Sequence, residues 1–303
     1  MTLDELASFV AIATGGGVTH ASRKLHRSQP AISRRIRQLE RSLAAPLFER
    51  AGRGVRLTAA GRALLPHAEA VLAAVGDARR AVRTLAAKAQ GAPPLRLALV
   101  GTLADLYLVK ALRAFRTRFG AASIELRTAT SREVSALVRR GEADLGLRYF
   151  ADPDPALATR PLGRERLEVM VPARHRIRSK RVSSLRAFEG EKWLGFPPDP
   201  RHPESTGEVL LRQLHAGGLA HAALTPVDSL TAQKRLVEAG LGVALLPRSA
   251  VREELRRRTL RSVAVASLRA EQPIVAVERK RGARHPHATA FLEILARSTP
   301  QLR

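Results

Sequence analysis

Between positions 28 and 37 the chain carries Ser28, Gln29, Pro30, Ser33, Arg34 and Arg37. On a helix the last five of these share one side, opposite the apolar set Ile32, Ile36, Leu39 and Leu43. A glutamine amide can pair through two atoms with an adenine edge, and an arginine can do the same with guanine. Serine discriminates weakly, and a proline ring offers apolar contact, as to a thymine methyl. The chemistry available is therefore the reading of base edges in a major groove. Ser28, Arg50, Arg53 and Arg56 suit phosphate or minor-groove contact, which sets register rather than sequence.

Other reactive groups are sparse. With no cysteine, disulfides, thiolate metal sites and cysteine nucleophiles are excluded. His20 and His26 stand without carboxylate partners, and His285-Pro286-His287 is a weak metal pattern. No G-x-S-x-G, H-E-x-x-H or phosphate-binding loop is present, and Gly15-Gly16-Gly17 follows a helix rather than a strand. Neither catalysis, a cofactor nor a metal is expected.

These side chains need elements to hold them. Leu6, Phe9, Val10 and Ala13 mark a first helix that stops at the three glycines, and Val18, Ala21 and Leu25 mark a second. Ser28 caps a third, with Pro30 in its first turn. The second and third, joined by His26-Arg27-Ser28, form a helix-turn-helix. Leu47–Arg50 and Val55–Leu57 flank Gly52-Arg53-Gly54 as a hairpin wing. From Thr58 to about Lys88 runs a helix bearing Leu64, Ala68, Val71, Val75, Ala78, Val82 and Leu85, alternately four and three residues apart. That repeat predicts a dimerisation seam, the alternative being a stripe packed on the helix's own domain. Pro66 should bend this helix.

Gln90-Gly91-Ala92-Pro93-Pro94 breaks the pattern. Beyond it, strand-like runs at Leu95–Val100, Ile124–Thr128, Asp144–Leu147, Leu167–Val171, Val243–Leu246 and Ile274–Val277 alternate with helical stretches, which is α/β patterning. The expected organisation is an all-α winged helix-turn-helix over 1–58, a linker and dimerisation helix over 59–90, and an α/β domain over 91–303.

Across 303 residues, 52 Lys and Arg face 27 Asp and Glu, a formal charge of +25 that favours an anionic partner, nucleic acid first. Residues 1–90 hold only 15 of the basic and 6 of the acidic side chains, so charge alone does not locate a binding face. Asp4 and Glu5 sit where a secretory signal needs positive charge, and no apolar run reaches the length of a membrane span. A soluble cytoplasmic protein without a membrane partner is expected.

Residues 15–65 resemble the DNA-binding domain of LysR-type transcriptional regulators. The resemblance is carried by Gly16-Gly17-Val18-Thr19-His20-Ala21-Ser22, Leu25, Ser28-Gln29-Pro30-Ala31-Ile32-Ser33-Arg34, Ile36, Leu39-Glu40, Leu43, Pro46-Leu47-Phe48-Glu49-Arg50 and Leu57-Thr58-Ala59-Ala60-Gly61. Gly141-Glu142-Ala143-Asp144-Leu145 and Gly240-Leu241-Gly242-Val243-Ala244-Leu245-Leu246-Pro247 look like landmarks of the family's effector domain. Ala44 replaces a usual glycine, and Ser22 replaces an alanine. The resemblance implies a duplex DNA operator, RNA polymerase as a further partner, and a homodimer or homotetramer.

It also implies two Rossmann-like subdomains, about 94–161 with 267–303 and 162–266, closing on a small-molecule effector as in periplasmic binding proteins. By that likeness Thr102, Thr130 and Pro197 face the cleft, with Phe196 as an apolar wall. Open α/β sheets do bind ligands beyond the carboxyl ends of their strands. Thr130 and Ser131 open a helix, which suits a carboxylate, and Arg148 ends a strand as a candidate counter-ion, so an organic acid is the expected effector. Each threonine has a plain helix cap as its alternative. The rival functions are a nucleoid-type protein binding DNA without sequence preference, an α/β enzyme and a solute-binding protein. The first has no use for so large an α/β region, and the last would need a signal peptide.

Overall fold

The computed structural model describes all residues except 52–53, 87–92, 105, 121, 201–204, 269, 283 and 299–303, together with the side chains of 51, 83–86 and 106. Helix α1 (Leu3–Gly15) starts in a capping box, in which the Glu5 N–H donates to the Thr2 hydroxyl and the Thr2 N–H donates to the Glu5 carboxylate at 2.7 Å. Helices α2 (Val18–Leu25) and α3 (Gln29–Leu43) follow, then the antiparallel pair β1 (Phe48–Ala51) and β2 (Gly54–Leu57). Their core is Leu6, Phe9, Ile12, Ala21, Ile32, Ile36, Leu39 and Leu47. The Glu40 carboxylate accepts from the Leu47 N–H at 2.8 Å, tying α3 to the entry of the wing.

Helix α4 (Ala59–Ala86) divides the predicted seam. Leu64 packs on the core of the first domain and Ala68 is buried in it, so at these two positions the stripe serves the helix's own domain. Farther along, Val75 is half-buried, Ala78 is exposed, and Val71 and Val82 are 41% and 66% exposed. The side chain of Leu85 lies outside the described residues. A different side of α4 meets the α/β region through Glu69 and Asp77, both buried.

That region comprises β3 (Leu95–Val100), α5 (Leu106–Phe119), β4 (Ile124–Ala129), α6 (Ser131–Arg139), β5 (Leu145–Tyr149), β6 (Leu157–Pro172), β7 (Arg181–Val182), β8 (Trp193–Gly195), α7 (Thr206–Ala216), β9 (Leu224–Pro226), α8 (Leu230–Glu238), β10 (Val243–Pro247), α9 (Arg252–Arg257), β11 (Leu260–Val265), β12 (Glu271–Arg279) and α10 (Ala288–Ser298). The strand order is β4-β3-β5-β12-β6-β10-β8-β9, with β11 pairing β6 and β7. Strands β3, β4 and β5 are parallel, as are β10, β8 and β9.

The sixteen-residue β6 belongs to both halves: it pairs with β12 up to Arg166 and with β10 from Leu167. The change of partner thus comes five residues later than a division at 161/162. Sequence reading saw only the second half of β6, because Pro161 and Gly163 resemble turn signals. A register shift at Ile274/Val275 takes up Leu162 and lets Pro161 lie within the strand. Each half has two apolar clusters, one with Phe115 and Phe291 and one with Val134 and Val138 in the first, one with Phe188 and Trp193 and one with Met170 and Val237 in the second.

Candidate DNA interface and effector cleft

Helix α3 begins with Ser28 as its cap, the hydroxyl accepting from the Ala31 N–H at 3.4 Å, and Pro30 falls in the first turn, where no intrahelical acceptor exists. Ile32, Ile36 and Leu39 are buried. Gln29, Pro30, Arg34 and Arg37 are exposed and Ser33 half-buried, so the structure brings the five predicted side chains together on the outer surface. Arg35, on the flank, is tied to Asp4 at 2.7 Å. Arg34 and Arg37 form no ion pair among the described residues. The α2–α3 turn is held by left-handed His26 (φ 50°) and by the Ser22 hydroxyl donating to the Arg27 carbonyl at 2.5 Å.

In the wing, Arg50 is exposed and Arg53 lies outside the described residues. Arg56 stands opposite Glu49 in the hairpin register and pairs with it at 2.8 Å. Its charge is therefore partly matched within the wing, which weakens the expectation of phosphate contact. Both side chains are exposed, so the pair is weak.

The cleft residues divide differently from expectation. Thr102, just past β3, is buried, and its hydroxyl lies 2.9 Å from that of Tyr149 at the end of β5. The Tyr149 hydroxyl donates to Glu165 of β6 at 2.7 Å, and the other Glu165 oxygen accepts from Ser249, which follows β10. A hydrogen-bonded chain, buried from Thr102 to Glu165 and half-buried at Ser249, thus runs from one subdomain to the other. Phe150, next to Tyr149, has φ 57° and packs on both subdomain cores. A bulky residue in that conformation holds strain that its surroundings must offset.

Thr130 is exposed and is a helix cap: its hydroxyl accepts from the Glu133 N–H and donates to the Glu133 carboxylate at 2.9 Å. The start of α6 therefore already has an anion of its own. Ser131 is half-buried in the first turn. Arg148 points to the other face of the sheet from Tyr149, where it binds Ser135 at 2.6 Å and pairs with Asp152. This corrects its reading as a counter-ion for an effector. Burial would raise the Asp152 carboxyl, but Ser135, the Asp154 N–H, Arg148 and Arg139 outweigh it and hold the group below the usual carboxylate range. Phe196 is half-buried and Pro197 exposed at the carboxyl end of β8. Gly207 of α7 lies so close that a β-carbon there would meet the Phe196 carbonyl oxygen at 2.5 Å.

The model of the bacterial regulatory helix-turn-helix protein, lysR family, matches residues 3–62, and that of the LysR substrate binding domain matches residues 88–300. The chain is a LysR-type transcriptional regulator. It is 32% identical over 303 residues to the HTH-type transcriptional regulator TfdS of Cupriavidus pinatubonensis, covering 99% of this chain and 100% of that one. It is also 32% identical to the HTH-type transcriptional regulator CbbR of Rhodospirillum rubrum, over 84% of this chain and 82% of that one. Among solved structures, full-length CbnR complexed with its target DNA superposes with a TM-score of 0.59 at 26% identity, covering 99% of this chain and 100% of that one.

In this regulator the two effector-domain landmarks are structural. Gly141 (φ 67°) follows α6, and Asp144 grips Arg96 of β3 at 2.6 Å while also accepting from the Arg96 backbone N–H at 3.0 Å. Burial favours the neutral Asp144 acid, yet the Arg96 contacts overcome this and hold the group below its ordinary range. Gly240 (φ 75°) turns the chain after α8, and Gly242 leaves room for the Lys192 carbonyl, which a β-carbon would meet at 2.5 Å.

Sequence reading missed Tyr149, Glu165 and Ser249. Strand alternation could have found Tyr149, since it must face opposite to Arg148. Nothing local marks Glu165 among the arginines of β6 or Ser249, because their meeting depends on pairing across more than eighty residues. The charged contacts of α4 with the α/β domain were missed as well. Glu69 pairs with Arg139 of α6 and lies 3.7 Å from Arg140, and Asp77 pairs with Arg279 of β12 at 2.8 Å.

Proposed function

We propose that this regulator reads a specific operator through the outer face of α3, binds it as a dimer joined along α4, and answers to a small molecule held between its two α/β subdomains. The observation that carries the DNA reading is the contrast between Arg35, spent on Asp4, and Arg34 and Arg37, which project beside Gln29 with no ion pair among the described residues. Bidentate partners for guanine and adenine on one face supply sequence discrimination, not only affinity. The stretch Val71, Val75, Ala78 and Val82, exposed except for half-buried Val75, supports the dimer, because an apolar stripe at this spacing is stable when covered by a second helix.

An organic acid is not carried into this reading. The Arg148 cation is engaged by Asp152 and the α6 start carries Glu133, so the groups expected to hold a carboxylate already have one.

Footprinting of the full chain on the DNA upstream of its own gene, and of any divergent neighbour, tests the proposal. A protected site with two half-sites is expected, lost in Arg34→Ala with Arg37→Ala. Uniform coating at all concentrations would instead make it a nucleoid-type binder.

A further inference from the structure

We infer that the second α/β subdomain carries a DNA surface of its own, the loop 174–181, which grips phosphates of the duplex flanking the operator. The inference rests on the reading above that α3 holds that operator.

The loop reads Arg174-His175-Arg176-Ile177-Arg178-Ser179-Lys180-Arg181, with five Lys or Arg in eight residues against 52 in 303 for the chain, and no acid. General arginine usage does not account for such a density. One of the five is spent within the fold: Arg176 pairs with Glu191 at 2.9 Å and donates to the Ala187 carbonyl at 2.9 Å, while buried His175 lies 3.0 Å from the same Glu191 oxygen. The exposed Glu189 is on this side too, its carbonyl accepting from Arg176 at 3.4 Å. Arg174, Arg178, Lys180 and Arg181 are exposed and form no ion pair among the described residues. Arg258 joins them, exposed and equally without an ion pair there, because the carbonyl of the next residue, Thr259, accepts from the Ala173 N–H at 3.1 Å.

Blocks of like charge are ordinarily disordered, since their members repel one another. This one is fastened. Arg261 of β11 donates to the Ala173 and Arg178 carbonyls at 3.2 Å and to the His175 carbonyl at 3.3 Å, and it reaches the Ile177 carbonyl as well. Strand β7 then joins β11 in parallel, with the Ala264 N–H donating to the Lys180 carbonyl at 2.9 Å. The backbone is therefore ordered before any partner arrives, and binding has only side chains to order. A row of phosphates relieves the repulsion among the four cations, and guanidinium forks match phosphate oxygens.

Duplex DNA is the partner that this chain keeps beside itself. With the operator held by α3, the phosphates next to it stand at high local concentration. The strand β6 says where they lie. It starts at Leu157, opposite the Arg279 that pairs with Asp77 of α4, and ends at Pro172, two residues before the loop. Sixteen extended residues span roughly 50 Å. The loop is thus far from α4, and the DNA it meets lies outside the base pairs read by α3, by roughly 15 base pairs at 3.4 Å each.

The test is titration of the full chain against two duplexes, the bare half-sites and the same half-sites extended by about 30 base pairs on each side, at several salt concentrations. The variant combines Arg174→Gln, Arg178→Gln, Lys180→Gln and Arg181→Gln, all exposed positions, and an unchanged melting temperature shows that it folds. The wild type should bind the long duplex about 10- to 100-fold tighter than the short one at low salt, with a log–log salt slope steeper by about 2–4. The variant should bind both as the wild type binds the short one, and hydroxyl-radical protection of the flanks should vanish with it.

Equal affinity of the wild type for specific short and long duplexes overturns the inference and leaves the operator reading standing. So does a variant that weakens both duplexes by the same factor, which would mark a general effect of charge. A variant that leaves both duplexes unchanged but loses binding to polyglutamate would assign the loop to an acidic protein and overturn the inference too. A wild type that prefers neither duplex to random DNA would bring down the operator reading, and this inference with it.

Discussion

Arg34 has the geometry of a base reader: exposed, near the start of a capped helix, and without a salt bridge among the described residues. Arg34→Ala should lower operator affinity by about 1–3 kcal/mol and relax one base position, as seen by titration against single-base operator variants. An equal loss on operator and random DNA would reduce it to a phosphate contact. Asp144 is held below its ordinary range by Arg96 despite burial, so its stabilising effect is complete above the unfolded value of about 4 and is lost as pH falls through the lower folded value. Urea unfolding of the full chain should therefore show stability dropping below about pH 4, and Asp144→Asn should flatten that drop while lowering stability at pH 7. An unchanged acid slope in the variant would show that Asp144 takes no part.

At the scale of elements, the reader domain was legible because its signals are local. The Ser28 cap, the Pro30 position and the spacing of Ile32, Ile36 and Leu39 all act within one helix. Ala44 is the instructive case. It closes α3 in a left-handed conformation (φ 50°), with its own N–H donating to the Arg41 carbonyl and that of Ala45 to Glu40, each at 3.2 Å. The cap forms without glycine, at a steric cost of about 1 kcal/mol, so Ala44→Gly should raise the melting temperature by a few degrees. A lower melting temperature would show that the conformation costs alanine nothing. On α4 the repeat identified a stripe but not its occupants, since one spacing suits both a partner helix and the helix's own domain. Val75→Asp with Val82→Asp should convert the full chain to monomer in sedimentation and abolish tight operator binding; a wild type already monomeric would contradict the seam. The cleft was less legible, because Thr102, Tyr149, Glu165 and Ser249 come from four separate elements.

Across the whole molecule, α6 lies between the two functions. Its first turn follows the Thr130 cap at the carboxyl end of β4, and its last turn grips Glu69 of α4, the residue after Ala68 in the core of the reader domain. The Glu69 side chain is 1% exposed and pairs with Arg139, which also holds Asp154, and lies near Arg140, which also holds Glu142, so removing the Glu69 charge leaves each arginine one carboxylate. Glu69→Gln should cost about 1.5–3 kcal/mol in urea unfolding, and Arg139→Gln should cost less in that background than alone. Strict additivity would mean that the two residues do not communicate. Strand β12 is central, pairing with both β5 and β6, yet it is encoded near the end of the chain. During synthesis the reader domain, whose core extends to Leu72, leaves the ribosome long before the first sheet can close. At ordinary translation rates that interval is roughly 10–50 s. For that time each nascent chain can find DNA while its sensor is still unfinished, so a newly made regulator is at first deaf to its signal.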